Sequence, residues 1–146
     1  VGDHDLVKPA LVAAGADLDF WRIAMRPGKP LLAGRIGKSV CIGLPGNPVS
    51  AFVTATLFLL PMIARLGGAS VPVPESRHAI LATDLPSGGS RAEYLRARIV
   101  DGRVDPIFSH DSALLAILAS ANALIVRPAD APTSRAGEIV EIIAIA

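Results

Sequence analysis

Two cations stand in a stiff turn, Arg26-Pro27-Gly28-Lys29-Pro30. Prolines fix the backbone and glycine permits close approach, so Arg26 and Lys29 can meet an anion at little entropic cost; a solvated surface turn has the same composition. Gly43-Leu44-Pro45-Gly46-Asn47-Pro48-Val49-Ser50 offers a second place for negative charge. There an apolar strand enters a Pro/Gly turn, Asn47 can cap a helix, and Pro48 takes its first position, where a missing N–H costs nothing. Unpaired amides and the helix dipole at such a start favour an oxyanion, although most strand-to-helix junctions bind no ligand. The Gly-x4-Gly-Lys-Ser/Thr spacing of a P-loop is absent, which excludes an ordinary nucleotide-triphosphatase reading. Asp3 and Asp5 can cap a helix or hold Mg2+ in a phosphate site.

Further along, Arg91-Ala92-Glu93-Tyr94-Leu95-Arg96-Ala97-Arg98 alternates as a strand. Arg91 starts it beside the Ser87-Gly88-Gly89-Ser90 loop, as a candidate anion ligand, while Arg96 and Arg98 share one face and read equally well as surface charge. His4, His78 and His110 have no partners at metal-ligand spacing, and no Gly-x-Ser-x-Gly nucleophile signature occurs. With 14 basic and 13 acidic residues, the formal charge of +1 argues against nucleic acid or an acidic membrane as partner. A lone cysteine, Cys41, excludes a disulfide framework and points to a cytoplasmic, reducing compartment. The apolar run from Ala51 to Ala64 is interrupted by Thr54, Thr56 and Pro61 and falls short of the roughly 20 residues that span a bilayer, so no membrane segment is expected.

The elements that must position these residues fall into two groups. In the first, a helix from about Asp5 or Pro9 to Ala14 is capped by Asp3 or Asp5 and stopped by Gly15, and Leu18 to Met25 forms a strand. Leu31–Ile36 and Ser39–Leu44 follow as a hairpin around Gly37-Lys38, and a long helix runs from Pro48 to Leu66. On that helix Ser50, Thr54, Pro61 and Arg65 fall in a stripe about 60° wide, and the other faces are apolar, so most of it is expected to be buried and one flank to need a neighbouring domain or a second copy of the chain. Pro61 should kink it at the Leu57 carbonyl, which water satisfies. Residues 69–75 form a stiff connector. The second group has strands at Arg77–Leu85, Arg91–Val100, Arg103–Phe108, Ala123–Arg127 and Glu138–Ile145, with a tight Asp101-Gly102 turn and a short helix Ser112–Ala121, which suggests a small β-barrel. The chain opens on Val1 and reads as a piece of a longer protein. The expected class is α/β over 1–68, followed by a β-barrel domain over 76–146.

Three strings in this order and spacing, Val1-Gly2-Asp3-His4-Asp5, Arg26-Pro27-Gly28-Lys29-Pro30 and Gly43-Leu44-Pro45-Gly46-Asn47-Pro48-Val49-Ser50-Ala51, resemble the molybdopterin molybdenumtransferase family of the bacterial MoeA and gephyrin E-domain type. The likeness continues through Arg91–Arg98 and Ser120–Val126. It implies that residues 1–68 are the second half of a three-layer molybdopterin-binding domain. It also implies molybdenum cofactor biosynthesis: insertion of molybdate-derived molybdenum into adenylated molybdopterin, with Mg2+ and release of AMP, in a homodimer. Carried over by position, Asp5 and Lys29 are catalytic, with Asp5 also the metal ligand. Arg26, Pro27, Pro45, Pro48, Ser50, Arg91 and Ser112 line the molybdate and pterin cleft. Arg26 stands where the family usually has lysine, which keeps the charge and adds a fork suited to oxyanions, and Ser112 lies in an atypical Ser109-His110-Asp111-Ser112 approach. A second reading is a non-catalytic molybdopterin-binding, dimerisation or scaffold module.

Overall fold

A computed structural model describes residues 6–70, 73–108 and 120–145. Asp3, Asp5, His4, His110, Ser112 and nearly all of the expected helix Ser112–Ala121 lie outside them. The first helix, α1 (Val7–Ala13), starts after Leu6 with no side-chain cap, not on an aspartate as expected. It ends as the sequence implies: Gly15 has φ of 85°, and the Gly15 and Ala16 amides donate back to Val12 and Leu11.

The expected strand Leu18–Met25 is two strands serving two sheets. β1 (Asp17–Phe20) pairs antiparallel with β3 (Leu32–Ile36), and a register shift between Leu18 and Phe20 bends it out of the sheet. Lys8 and Arg22 then lie over the Trp21 ring, 4.0 and 3.9 Å from its centre. Beyond it, β2 (Met25–Arg26) pairs parallel with Ala92 and Glu93 of β6 (Ala92–Val100). The expected hairpin forms between β3 and β4 (Ser39–Gly43), with Ile36 opposite Ser39 and Gly37 at φ of 56°.

The helix from Pro48 to Leu66 is continuous but not uniform. An α-helical part, α2 (Pro48–Thr54), passes through a π-helical turn (Ala55–Leu59) into α3 (Leu60–Leu66). The wide turn sits just before Pro61, whose missing N–H and ring would clash with the normal ladder. At 19 residues and mean hydropathy 1.8 the helix is longer than the expected apolar run and would pass for a span by length and composition, but one such helix does not indicate a membrane protein. Its threonines do not interrupt it, because Thr54 Oγ1 donates to the Ser50 carbonyl at 2.7 Å and Thr56 Oγ1 to that of Phe52 at 3.0 Å. The polar stripe is also not a solvated face throughout, since Thr54 is fully buried. Nor is the helix buried on most sides: Leu60, Ile63 and Leu66 are more than half exposed.

The second group closes into a barrel. β5 (Ser76–Leu81), β6, β7 (Arg103–Pro106), β8 (Ala123–Arg127) and β9 (Ile139–Ala144) pair in the order β6-β7-β5-β9-β8, and β8 returns to β6. Asp101 and Gly102, at φ of 50° and 75°, make the turn between β6 and β7. Inward residues Leu81, Ala97, Val104, Ala123, Ile125 and Ile142 fill the barrel together with Leu85. The outer face of β6, β8 and β9 packs Tyr94, Leu124, Val126 and Ile143 against Met25, Phe52, Val53 and Leu57. That explains why Ala123-Leu124-Ile125-Val126 is apolar in both phases, and it gives the long helix a protein surface to lie on.

Outside the core, Asp84 clamps the loop after β5 to the approach to β9. Its carboxylate accepts from the Ala136 amide at 2.8 Å and from Arg135 at 2.9 Å. The amide first, and the guanidinium second, hold its pKa below the usual aspartate value of about 3.9. A depressed carboxyl contributes stability above its unfolded pKa and loses it as pH falls through the folded value. Asp84→Asn, which keeps an acceptor for Ala136, should therefore melt below the unmodified protein at pH 6, with the gap closing below about pH 4. A gap of equal size at pH 6 and pH 3 would show that the charge contributes nothing.

Candidate functional site

The Arg26–Pro30 turn is built onto the long helix through a glycine. Gly28 has φ of 111°, and a Cβ there would stand 2.5 Å from Thr54 Cγ2 and 3.2 Å from the Met25 sulfur. The Ile23 amide donates to the Lys29 carbonyl at 3.0 Å and closes the loop. From the barrel side, the Ala92 amide donates to the Ala24 carbonyl at 3.1 Å, and Arg91 Nη1 reaches the Met25 carbonyl at 3.5 Å. Turn, helix start and first barrel strand are thus brought to one place.

A cleft of about 330 Å3 opens at that seam. Arg26 and Pro27 reach it from the turn, Val49 from the helix start, Pro86 and Ser87 from the loop before β6, and Glu93, Arg96 and Arg127 from the barrel. Glu93 and Arg127 lie opposite each other on β6 and β8, in the phase that otherwise fills the barrel. Arg127 Nη1 is 3.4 Å from one Glu93 oxygen, and Arg26 Nη1 is 3.9 Å from the other. Arg127 and Glu93 have side chains only 6% and 10% exposed, whereas that of Arg26 is 67% exposed. Arg127 Nη2 also donates to the Pro132 carbonyl at 2.7 Å, so Arg127 is held at both terminal nitrogens, whereas the Arg26 side chain is largely exposed.

Of the residues singled out from sequence, Arg26 and Pro27 line the cleft. Lys29 and Pro48 are exposed nearby in the chain, Pro45 is buried, and Arg91 anchors β2 through the Met25 carbonyl. Ser50 is half-buried, and its amide is taken by the expected cap, Asn47 Oδ1, at 3.1 Å. The helix start therefore offers an anion fewer donors than the sequence implies: Pro48 has none and Ser50 is spent. Asp5 and Ser112 lie outside the described residues. Sequence reasoning missed Glu93 and Arg127 as a pair, Thr54 as the seat of the turn, and Arg96 as a cleft residue. The signal was present: Glu93 and Arg127 are charges on the apolar phase of Leu95, Ala97 and Ile125, and a charge there needs a partner. Among the described residues no three His, Cys, Asp or Glu stand together as a metal site.

An α/β unit joined by a short parallel strand pair to a closed five-stranded barrel, with a basic cleft at the seam, defines the class of protein. Residues 1–65 match the model of a molybdopterin binding domain described as probable, and residues 78–145 match the MoeA C-terminal region, domain IV. The chain belongs to the MoeA family. It is 34% identical to molybdopterin molybdenumtransferase 2 of Mycobacterium tuberculosis and 32% identical to the molybdopterin molybdenumtransferase of Haemophilus influenzae, in each case over 97% of this chain and 36% of the relative. Among solved structures, a molybdopterin biosynthesis MoeA protein of Pyrococcus horikoshii superposes with a TM-score of 0.81 at 24% identity, covering 94% of this chain and 34% of that one. A molybdenum cofactor biosynthesis protein of Pyrococcus furiosus gives 0.74 at 28%, covering 98% of this chain and 55% of that one. The chain spans about a third of the length of these curated relatives.

Two substitutions probe how the cleft is built. Gly28→Ala should cost about 1–3 kcal/mol from overlap with Thr54, besides the strain of a positive φ. Thr54→Ser, which removes Cγ2 and keeps the hydroxyl, should recover the steric part only, and an additive pair in urea unfolding would refute the contact. Glu93→Gln leaves the Arg127 charge buried and unpaired, an expected loss of about 3–5 kcal/mol. Replacing both by apolar residues, as in Glu93→Leu with Arg127→Met, should restore much of it. A Glu93→Gln protein that unfolds like the parent would mean that the pair is energetically idle.

Proposed function

We propose that the whole protein of which this chain is part inserts molybdate-derived molybdenum into adenylated molybdopterin, and that the cleft at the β2–β6 seam is this chain's share of the site. The observation carrying this reading is the charge count there: three guanidiniums, from Arg26, Arg96 and Arg127, against one carboxylate, Glu93. Molybdate, phosphate and dithiolene are all anionic, so bringing them together needs a preorganised counter-field. Arg127 holds Glu93 in place, and Arg26, tethered at long range, is the cation that an incoming oxyanion can draw away. Lys29 and Arg91 are proposed to approach the same ligand from the turn and the loop, with Pro27, Pro45, Pro48 and Ser50 shaping the wall.

Mg2+ with Asp5 as ligand belongs to the proposal for the whole protein. The described residues do not fit a divalent cation, since Glu93 is engaged by two guanidiniums, and no step is derived through the metal. The proposed division is an α/β unit over 1–68, a connector over 69–75 and the barrel over 76–146, in a cytoplasmic protein. The exposed apolar residues Leu60, Ile63 and Leu66 support self-association into a homodimer. They also favour the second reading, a dimerisation or scaffold module, and turnover of the adenylated pterin by the full-length protein separates the two.

In that full-length protein, Arg26→Ala and Lys29→Ala should each weaken molybdate or pterin-phosphate binding by about 1.5–3 kcal/mol, the worth of a hydrogen bond to a charged group. Arg26→Lys should recover much of the loss and Arg26→Gln should not. The check is a molybdate titration of cofactor formation alongside thermal unfolding. Unchanged molybdate dependence in both alanine variants, with the fold intact, would remove the turn from the site.

A further inference from the structure

β8 has a register that its own apolar residues do not determine. Ala123, Leu124, Ile125 and Val126 are apolar on both faces of the strand, so a slip along β6 would still bury apolar side chains on each side. The slip would nevertheless carry Arg127 away from Glu93, its partner across the ladder, by about 3.4 Å per residue. The ion pair closes one end of this ladder at 3.4 Å, long for a charge-assisted hydrogen bond.

The other end is closed by Asn122. Its Oδ1 accepts from the Ile99 amide at 2.7 Å, and its Nδ2 donates to the Ile99 carbonyl at 3.3 Å. One side-chain carboxamide thus meets both main-chain groups of a single β6 residue, as a paired strand residue would. The Asn122 amide also donates to the Ala97 carbonyl at 3.1 Å, and its carbonyl accepts from the Ile145 amide at 2.9 Å. The residue is therefore tied to β6 on one side and to the end of β9 on the other. We propose that Asn122 is a positioning residue of the cleft: it stands in for a further β8 residue and fixes the register that sets Arg127 against Glu93. It precedes Arg127 by about 17 Å of extended strand and lies outside the cleft, so it acts on a ligand only through that register. The inference rests on the proposed function for its kinetic test alone.

In the full-length protein, Asn122→Ala should lower the melting temperature by about 2–6 °C. The drop should be less than half as large when Glu93→Leu and Arg127→Met are already present. Sites this far apart normally act additively, so a reduced effect reports the register that links them. Kinetics separate positioning from stability alone. Assayed well below its melting temperature, Asn122→Ala should lose roughly 10-fold or more in kcat/KM for adenylated molybdopterin, because the barrel wall of the cleft is displaced. Asn122→Asp, which keeps the acceptor for the Ile99 amide, should fall between the two, and it carries both comparisons where the alanine variant does not fold. An equal or larger melting shift in the Leu/Met background would make Asn122 a local tie and overturn the proposal. So would unchanged kcat/KM in a folded Asn122→Ala protein. If the unmodified full-length protein does not turn over the pterin, the proposed function fails, while the melting comparison still decides the role of Asn122.

Discussion

One carboxylate has to serve two guanidiniums that arrive from different parts of the chain. Glu93 sits where β6 would be expected to carry another inward apolar residue, and the barrel accepts it because Arg127 stands directly across on β8. Neither charge can be buried alone without a penalty of several kcal/mol, so the two strands are held in one register. Arg127 also ties down the Pro132 carbonyl, and the Gly88 amide bonds the Ala131 carbonyl, which draws the 86–89 loop against the 130–134 loop at the mouth. The other oxygen of Glu93 then faces Arg26 of the other unit, 3.9 Å away. The cleft exists because a barrel was closed around an ion pair instead of a leucine.

Much of this architecture was legible locally. The five barrel strands follow from period-2 alternation and the Asp101-Gly102 turn, and the β3–β4 hairpin follows from Gly37 between two apolar runs. Asn47 and Pro48 announced the start of the long helix correctly. The failures share a cause. β2 is two residues long and pairs with residues more than sixty positions away, so no local pattern encodes it. The break in the expected strand at Trp21 depends on a bulge opposite β3, which alternation alone cannot locate. Pro61 signalled an irregular helix, but a kink and a π-helical turn satisfy the same missing donor.

The candidate site was legible in its parts and not in its assembly. Arg26 and Pro27 line the cleft, because a turn rigid enough to be read from its prolines is also rigid enough to be placed. The resemblance, however, weights the residues of the turn and the helix start. The structure shifts weight to the barrel, where Glu93, Arg96 and Arg127 were present in the sequence as an ordinary charged strand and strand end. Their meaning depends on which phase is buried, and that is settled only when β8 closes on β6.

The two sides of the cleft are held in different ways, and the difference bears on function. The turn is seated by shape: Gly28 leaves no room against Thr54, so Arg26 leaves a fixed backbone with a long, exposed side chain. The barrel side is seated by charge and hydrogen bonds at Arg127, whose side chain is far less exposed than that of Arg26. A site with one rigid wall and one swinging cation can admit a bulky anionic ligand and then close on it without moving backbone, since only rotamers of Arg26 must change. Two rigid walls would demand a domain motion for entry, and two mobile ones would forfeit the preorganisation that makes a counter-field effective. The 3.9 Å separation between Arg26 and Glu93 suits the first arrangement: close enough to keep the guanidinium at the mouth, and too long for a hydrogen bond that a ligand would have to break.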